Sequence, residues 1–501
     1  MFRTHIERPY IESTKKGKPM SSNNLTLLTD LYELTMMQGY YKRQDKDIVV
    51  FDMFFRENPN HNGYSIAAGL QQVIEYIKNL HFSYDDVNYL RSLGIFQQDF
   101  LQYLSGFHFS GSIYAIPEGT VVFPREPLIK VIAPIMEAQL IESALLNIIN
   151  HQSLIATKTS RIVFAAGGDG IMEFGLRRAQ GPDAGLYGAR AAMIGGCVGT
   201  SNVMAGKLFD VPVLGTHAHS WIMSFEDEYT AFKEYAKLYP NSLTLLVDTY
   251  DTLKSGVPNA IRVFDEMLKE GITPLRYGIR LDSGDLAYLS KRARKMLDDA
   301  GHSKAFIAAS NDLDEMLIND LKMQGATINS WGVGTHLITS KDCPSFGGVY
   351  KLAAIQDEHG TFVPKIKLSD NVDKITNPGN KTIYRIYDKV TGKIRADLIA
   401  FADEVIHDEE ELLLFDPLAT WKKTKLEGGS YTVRELLVPV FIDGECIYES
   451  PSVKEIAEIC KREKETLWDE TKRLFYPQKV YVDLSKKLYD KKQQLLEEMS
   501  L

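Results

Sequence analysis

Between Ile171 and Thr335 the chain repeats one pattern seven times: a short apolar run with a polar ending, in alternation with helical stretches. The runs are IMEFG to Gly175, CVGTSN to Asn202, VPVLGTHAH to His219, LTLLVD to Asp248, YGIRLD to Asp282, AFIAASN to Asn311 and INSWGVGT to Thr335. Successive βα-like units of this kind specify a parallel sheet, open or closed. The polar endings bear on which form it takes. In a barrel the carboxyl ends of all strands and the loops behind them share one face, so a site built by many strands places polar residues at every ending. A doubly wound open sheet concentrates its ligand contacts at one switch point instead. Seven polar endings favour the barrel.

The flanks have a different texture. Before the repeats, TDLYELTMMQGYY (29–41) has helical spacing, DIVVFDMFF (47–55) reads as a strand, and 111–133 alternates in short β runs split by Pro and Gly. A long amphipathic helix through SALLNIINHQSLIATKTSRIVFAA leads into the repeats. After Gly347 the chain turns polar and strand-like, which predicts a return to the first unit, and it ends in charged helical stretches with solvated faces. These changes divide it into a polar leader (1–24), an N-terminal α+β domain (25–135), the barrel with its active site (136–346), a return to the α+β domain (347–395) and a C-terminal segment (396–501).

Composition removes several function classes. With 501 residues, 44% hydrophobic and 25% charged, the chain has the balance of a globular protein with a large core. Its 57 basic and 66 acidic residues give a net charge of −9, so there is no polyanion-binding footprint and no nucleic-acid partner is expected. The longest uncharged stretch near the repeats, 191–206, is interrupted by four glycines and falls short of a membrane span. The leader lacks the apolar core of a secretory signal. Cys197, Cys343, Cys446 and Cys460 share no metal or disulfide spacing, which suits a reducing, cytoplasmic setting.

Chemistry-bearing residues sit at the run endings. In Gly215-Thr216-His217-Ala218-His219 two histidines stand at a strand mouth, where imidazole serves as acid, base, nucleophile or ligand; each is equally readable as structural. Asp248 and Asp251 could hold ribose hydroxyls and a Mg²⁺ ion, or cap the following helix. Arg280 and Asp282, two apart on a strand, project to one side, to meet an anion and a hydroxyl or to form an ion pair with each other. Gly332-Val333-Gly334-Thr335 could offer N–H groups to a phosphate, with Ser310 and Asn311 beside it. Phe174 with Arg177 and Arg178 suits a flat anionic ligand, or packs in the core. No metal-ligand set is assignable.

Taken in order, TDLYELTM (29–36), FFRENP (54–59), EFGLRRAQGPD (173–183), GTSN (199–202), GTHAHSW (215–221), VDTYDT (247–252), RLDSGDL (280–286) and GVGT (332–335) resemble the nicotinate phosphoribosyltransferase family, a type II phosphoribosyltransferase family, from about residue 25 onward. The resemblance implies an irregular α/β barrel carrying an α+β domain built from both flanks, with a C-terminal extension and homodimers that share sites. It implies an ATP-dependent ligase: transfer from phosphoribosyl pyrophosphate to nicotinate, with Mg²⁺, giving nicotinate mononucleotide and pyrophosphate. ATP hydrolysis is coupled through a phosphohistidine, as the first step of NAD salvage from nicotinate. His219 would be the phosphorylated residue and Asp248 its carboxylate partner. Phe174 and Tyr32 of the neighbouring subunit would sandwich the pyridine ring. Thr216, Arg177 and Arg280 would contact nicotinate or the donor, and Asp282 the ribose. Ser310, Asn311, Gly334 and Thr335 would hold the 5-phosphate. Nicotinamide-using relatives look like they carry an acidic residue where this chain has Ser201, so serine favours the acid over the amide. The alternatives are a nicotinamide or quinolinate phosphoribosyltransferase, a phosphosugar aldolase or isomerase on a barrel, and a catalytically silent binding protein.

Overall fold

A computed structural model describes residues 24–370 and 374–499. The leader expected over 1–24 therefore lies, apart from Asn24, outside the described residues.

The repeat region forms one six-stranded parallel sheet. Its spatial order is Gly199–Thr200, Gly170–Glu173, Ser330–Val333, Phe306–Asn311, Arg276–Leu281, Ser242–Leu246. Helices including Pro182–Gly195, Val257–Lys269, Leu286–Asp299 and Glu315–Met323 follow individual strands. Ile171, Leu245, Ile279, Ile307 and Trp331 are fully buried in its core. The third apolar run, VPVLGTHAH, contributes a single parallel bridge, Thr200 to Val213, instead of a strand. Pro212 has no N–H for a further rung, and the helix His219–Met223 begins soon afterwards. The sheet consequently curls without a continuous ladder: a seam separates residues 211–214 from the outer edge of Ser242–Leu246.

Both flanks contribute to a seven-stranded sheet. Ile48–Phe55 lies centrally, antiparallel to Gly348–Gln356 on one side and to Ile129–Pro134 on the other, and Val438–Ile442 pairs with Ser112–Ala115 further along. A smaller sheet joins Lys381–Asp388, Ile394–Phe401, Tyr431–Glu435 and Tyr481–Leu484. The 25-residue helix Glu142–Ala166 connects the flank to the repeats and stops where Gly167 takes a left-handed conformation (φ 59°) that side-chain-bearing residues disfavour.

Buried charge fixes the two parts against each other. Arg190, on the helix behind the first strand of the repeats, donates to both oxygens of Glu118 in the flank (2.7 and 2.8 Å) and to Gln152 and Gln71. Glu118 also accepts the N–H groups of Gly69 and Gln71, so each polar atom of this interior pair is used. Glu315 likewise holds Lys158 (2.7 Å) and Arg161 (3.0 Å) of the long helix.

Candidate active site

The carboxyl ends of the parallel strands bring the run endings to one face. His219 opens its short helix directly opposite the end of Ser242–Leu246. Its Nδ1 lies 3.1 Å from the Thr249 hydroxyl and its Nε2 3.7 Å from an Asp282 carboxylate oxygen. Asp248 accepts the backbone N–H of Asp282 (2.9 Å) and the Ser283 hydroxyl (2.6 Å) through one carboxylate oxygen. The pairing of Asp248 with His219 expected from the sequence is thus not the one formed.

The next strand end carries Arg280 and Asp282. Arg280 donates to the Thr216 hydroxyl, and burial holds the guanidinium below its ordinary pKa despite the nearby carboxylates of Asp282 and Asp248. Arg177, exposed in the turn Leu176–Arg178, acts on the same guanidinium as a second positive charge. Asp282 accepts from the Ser310 hydroxyl, which joins this strand end to the next. The two-apart pair on the strand has therefore split its partners and makes no internal salt bridge.

Phe174 lies across the Ser330–Val333 strand. Its N–H donates to Val333 O (2.8 Å), and a Cβ added to Gly332 would stand 2.5 Å from its ring and 3.4 Å from Ser310 Cβ. Beneath it Glu173 is fully buried, accepting the Gly175 N–H and the Thr200 hydroxyl (2.5 Å). Burial pushes this carboxyl above the ordinary range and the two donors act in the opposite direction. Ser201 is half-buried and donates its N–H to Glu173 O (2.9 Å), so the aromatic and the serine share one support. Gly334 precedes the helix Thr335–Ile338, and Asn311 ends its strand at φ 139°, a left-handed value.

His219, Asp248, Phe174, Arg177, Ser201, Thr216, Arg280, Asp282, Ser310, Asn311, Gly334 and Thr335 therefore all occupy one sheet end. Tyr32 stands elsewhere within its own chain, 46% exposed on the helix Leu31–Arg43, close to Glu142. Asp251 takes the capping option: it accepts the N–H groups of Leu253 and Lys254 (3.1 and 2.9 Å). Thr249, Ser283 and Glu173 take part without having been singled out. All three lay inside quoted motifs, yet a hydroxyl next to an aspartate and an acid before an aromatic carry no distinguishing spacing.

Asp248 leaves one carboxylate oxygen buried without a hydrogen-bond partner. An acceptor of this kind fits a hard cation such as Mg²⁺, which takes oxygen ligands and commonly only one or two carboxylates. Among the described residues no cluster of three His, Cys, Asp or Glu could cage a metal, so such an ion would also rest on substrate phosphates.

Fold and site together define an enzyme of the α/β-barrel phosphoribosyltransferase class, with guanidiniums, hydroxyls and a glycine loop ranged around an aromatic platform. Models of the nicotinate phosphoribosyltransferase N-terminal domain, family region and C-terminal domain match residues 27–150, 170–380 and 380–492. The chain belongs to the nicotinate phosphoribosyltransferase family. It is 46% identical over 478 residues to nicotinate phosphoribosyltransferase of Bacillus subtilis, covering 95% of this chain and 96% of that one. It is 31% identical over 521 residues to the human protein of that name, covering 92% and 95%. The crystal structure of human nicotinic acid phosphoribosyltransferase superposes with a TM-score of 0.82, at 29% identity, over 93% of this chain and 99% of that chain.

Proposed function

We propose that this chain transfers the phosphoribosyl group of phosphoribosyl pyrophosphate to nicotinate, releasing nicotinate mononucleotide and pyrophosphate, and couples the transfer to ATP hydrolysis through phosphorylation of His219. The observation that carries the reading is the meeting, at one sheet end, of the Phe174 platform, the Arg177 and Arg280 guanidiniums and a half-exposed imidazole. Phe174 sets the plane of the pyridine ring. Arg177, Arg280 and Thr216 draw the nicotinate carboxylate and the donor phosphates into register, and Asp282 faces the ribose. Ser310, Asn311 and the Gly334–Thr335 turn hold the 5-phosphate; the first N–H groups of a helix have no intrahelical acceptor and suit an anion.

As the C1–oxygen bond to pyrophosphate breaks, its electron pair leaves with pyrophosphate. The pyridine nitrogen then supplies the pair for the new C1–N bond. The protein contributes mainly position and electrostatics. Mg²⁺ would supply charge neutralisation for the leaving pyrophosphate, and Asp248, with its unpartnered carboxylate oxygen, would hold it. Thr249 and Asp282 orient the His219 ring for phosphorylation. Ser201, being neutral, spares the substrate carboxylate the repulsion an acidic residue would exert.

A homodimer with shared sites completes the proposal. Leu28, Leu31, Tyr32 and Met36 are exposed on the N-terminal flank, and Val203, Met204 and Val213 beside the barrel mouth. Apolar patches of this kind suit burial against a second copy, which would bring Tyr32 over Phe174. No helix among the described residues is long and apolar enough to cross a membrane. The proposed reaction would open NAD salvage from nicotinate in the cytoplasm.

The test is an assay of pyrophosphate and mononucleotide from nicotinate, nicotinamide and quinolinate, each with and without ATP. Nicotinate is the preferred acceptor, with ATP consumed during turnover. His219→Ala keeps measurable transfer and loses the ATP dependence. Nicotinate-dependent ATP hydrolysis by that variant at the parental rate would remove His219 from its role.

A further inference from the structure

The seam in the curled sheet is bridged by side chains where a ladder is missing. The edge strand Ser242–Leu246 hydrogen-bonds to Arg276–Leu281 on one side only. On its outer side the Leu246 N–H donates to Nε2 of His217 (3.3 Å). Two residues after His217, His219 meets the Thr249 hydroxyl, three residues after Leu246. These contacts form two successive rungs made of imidazole, and both histidines belong to the segment that fails to pair as a strand.

His217 is built for holding rather than for chemistry. It is 8% exposed, with Tyr235 packed edge-on at 4.6 Å between ring centres and Phe232 at 6.4 Å. Accepting through Nε2 requires the neutral ring with its proton on Nδ1. Burial, and then the Arg280 charge, push its pKa down to about 4 and so favour that neutral form. Without this rung the His219 segment would face the strand carrying Asp248 and Thr249 through side-chain contacts at its outer end alone.

We infer that His217 is a positioning residue: by taking the Leu246 N–H in place of a ladder partner, it sets the His219 imidazole against Thr249 and Asp282. This inference rests on the proposed role of His219.

The test compares His217→Phe, which keeps a stacked ring without an acceptor, with His217→Gln, which restores an acceptor oxygen. In the Phe variant nicotinate-dependent ATP hydrolysis falls about tenfold or more, the order expected when a reacting group is misplaced by a fraction of an ångström to an ångström. The KM for nicotinate changes by less than about threefold, since ground-state binding of the pyridine is untouched. The Gln variant recovers most of the loss. In parallel, the ring ¹⁵N resonances of His219 lose the signature of the Thr249 contact in the Phe variant and keep it in the Gln variant. Parental ATP hydrolysis with unchanged resonances in the Phe variant overturns the inference. So does an equal fall of both variants in every activity together with melting temperature, which marks a merely structural role. If the parent enzyme consumes no ATP during turnover, the proposed function fails instead, and the His219 resonances still decide whether His217 positions the ring.

Discussion

Gly332→Ala probes the aromatic platform with one methyl group. The glycine is buried, and its backbone is outside the left-handed region, so the substitution tests space alone. The new Cβ would lie 2.5 Å from Phe174 Cδ2 and 2.7 Å from Cε2. Carbon contacts settle near ~3.5–4.0 Å, so the ring must retreat by about 1 Å or tilt out of plane. Overpacking of this kind costs about 1–3 kcal/mol. If the ring yields rather than the strand, that cost appears in substrate handling, and at about 1.4 kcal/mol per factor of ten it lowers kcat/KM for nicotinate by about 5- to 150-fold. The KM for the phosphoribosyl donor, whose 5-phosphate is assigned to Gly334 and Thr335 beyond this strand and to Ser310 with its Cβ 3.4 Å from the new methyl, moves less than that for nicotinate, because the ring takes the hard contact. Steady-state pyrophosphate release, with each substrate varied in turn, separates the two. Parental kinetics toward nicotinate would refute the idea that the Phe174 ring seats the pyridine, and equal losses for both substrates would point to a distorted sheet.

Ser201→Asp places a carboxylate near that of the substrate; at an effective dielectric of about 20 two like charges 4 Å apart repel by about 4 kcal/mol, so the nicotinate KM rises far more than the donor KM. Equal rises in competition assays would argue against a selectivity role. Mixing Tyr32→Ala with Arg280→Met subunits, each inactive alone, restores about a quarter of parental activity if random dimers contain one intact shared site; no recovery after confirmed exchange would place Tyr32 outside the site. The fully buried Glu33 has its pKa raised to about 7, chiefly by burial, against donors from Ser143 and with Glu142 nearby. Its folded pKa exceeds the unfolded value, so its contribution is intact below about pH 4.5 and declines by about 3 kcal/mol as pH rises to about 7. Glu33→Gln removes that decline, which urea unfolding across this pH window would detect; an unchanged slope would count against it.

The sequence makes the strand ends legible because each polar side chain follows a hydrophobic run that must enter the core. The active face, Phe174 beside Ser310, and Arg280 beside Asp282 follow from that rule together with the parallel order. The third run, VPVLGTHAH, misleads because its apolar residues resemble a strand while Pro212 withholds a donor and limits pairing to a single bridge. Asp248 and Asp251 look equivalent on paper, yet one ties two strand ends together and the other caps a turn, a distinction set by backbone direction alone. Glu173 escapes notice because its importance lies in being buried between two loops, which no local spacing announces. Tyr32 illustrates a different limit: a residue completing a neighbour's site leaves no mark on the geometry of its own chain.

Interleaving the flanks has a consequence for synthesis on the ribosome. The sheet that begins with Ile48 acquires Gly348–Gln356 only after the whole barrel has been translated, and Val438–Ile442 about ninety residues later still. Until then Ile48–Phe55 and Ser112–Ala115 each present an unsatisfied border, which a second nascent chain could occupy. Nonsense changes as late as residue 437 should therefore yield insoluble polypeptide rather than a shortened enzyme, although every catalytic side chain would already have been made.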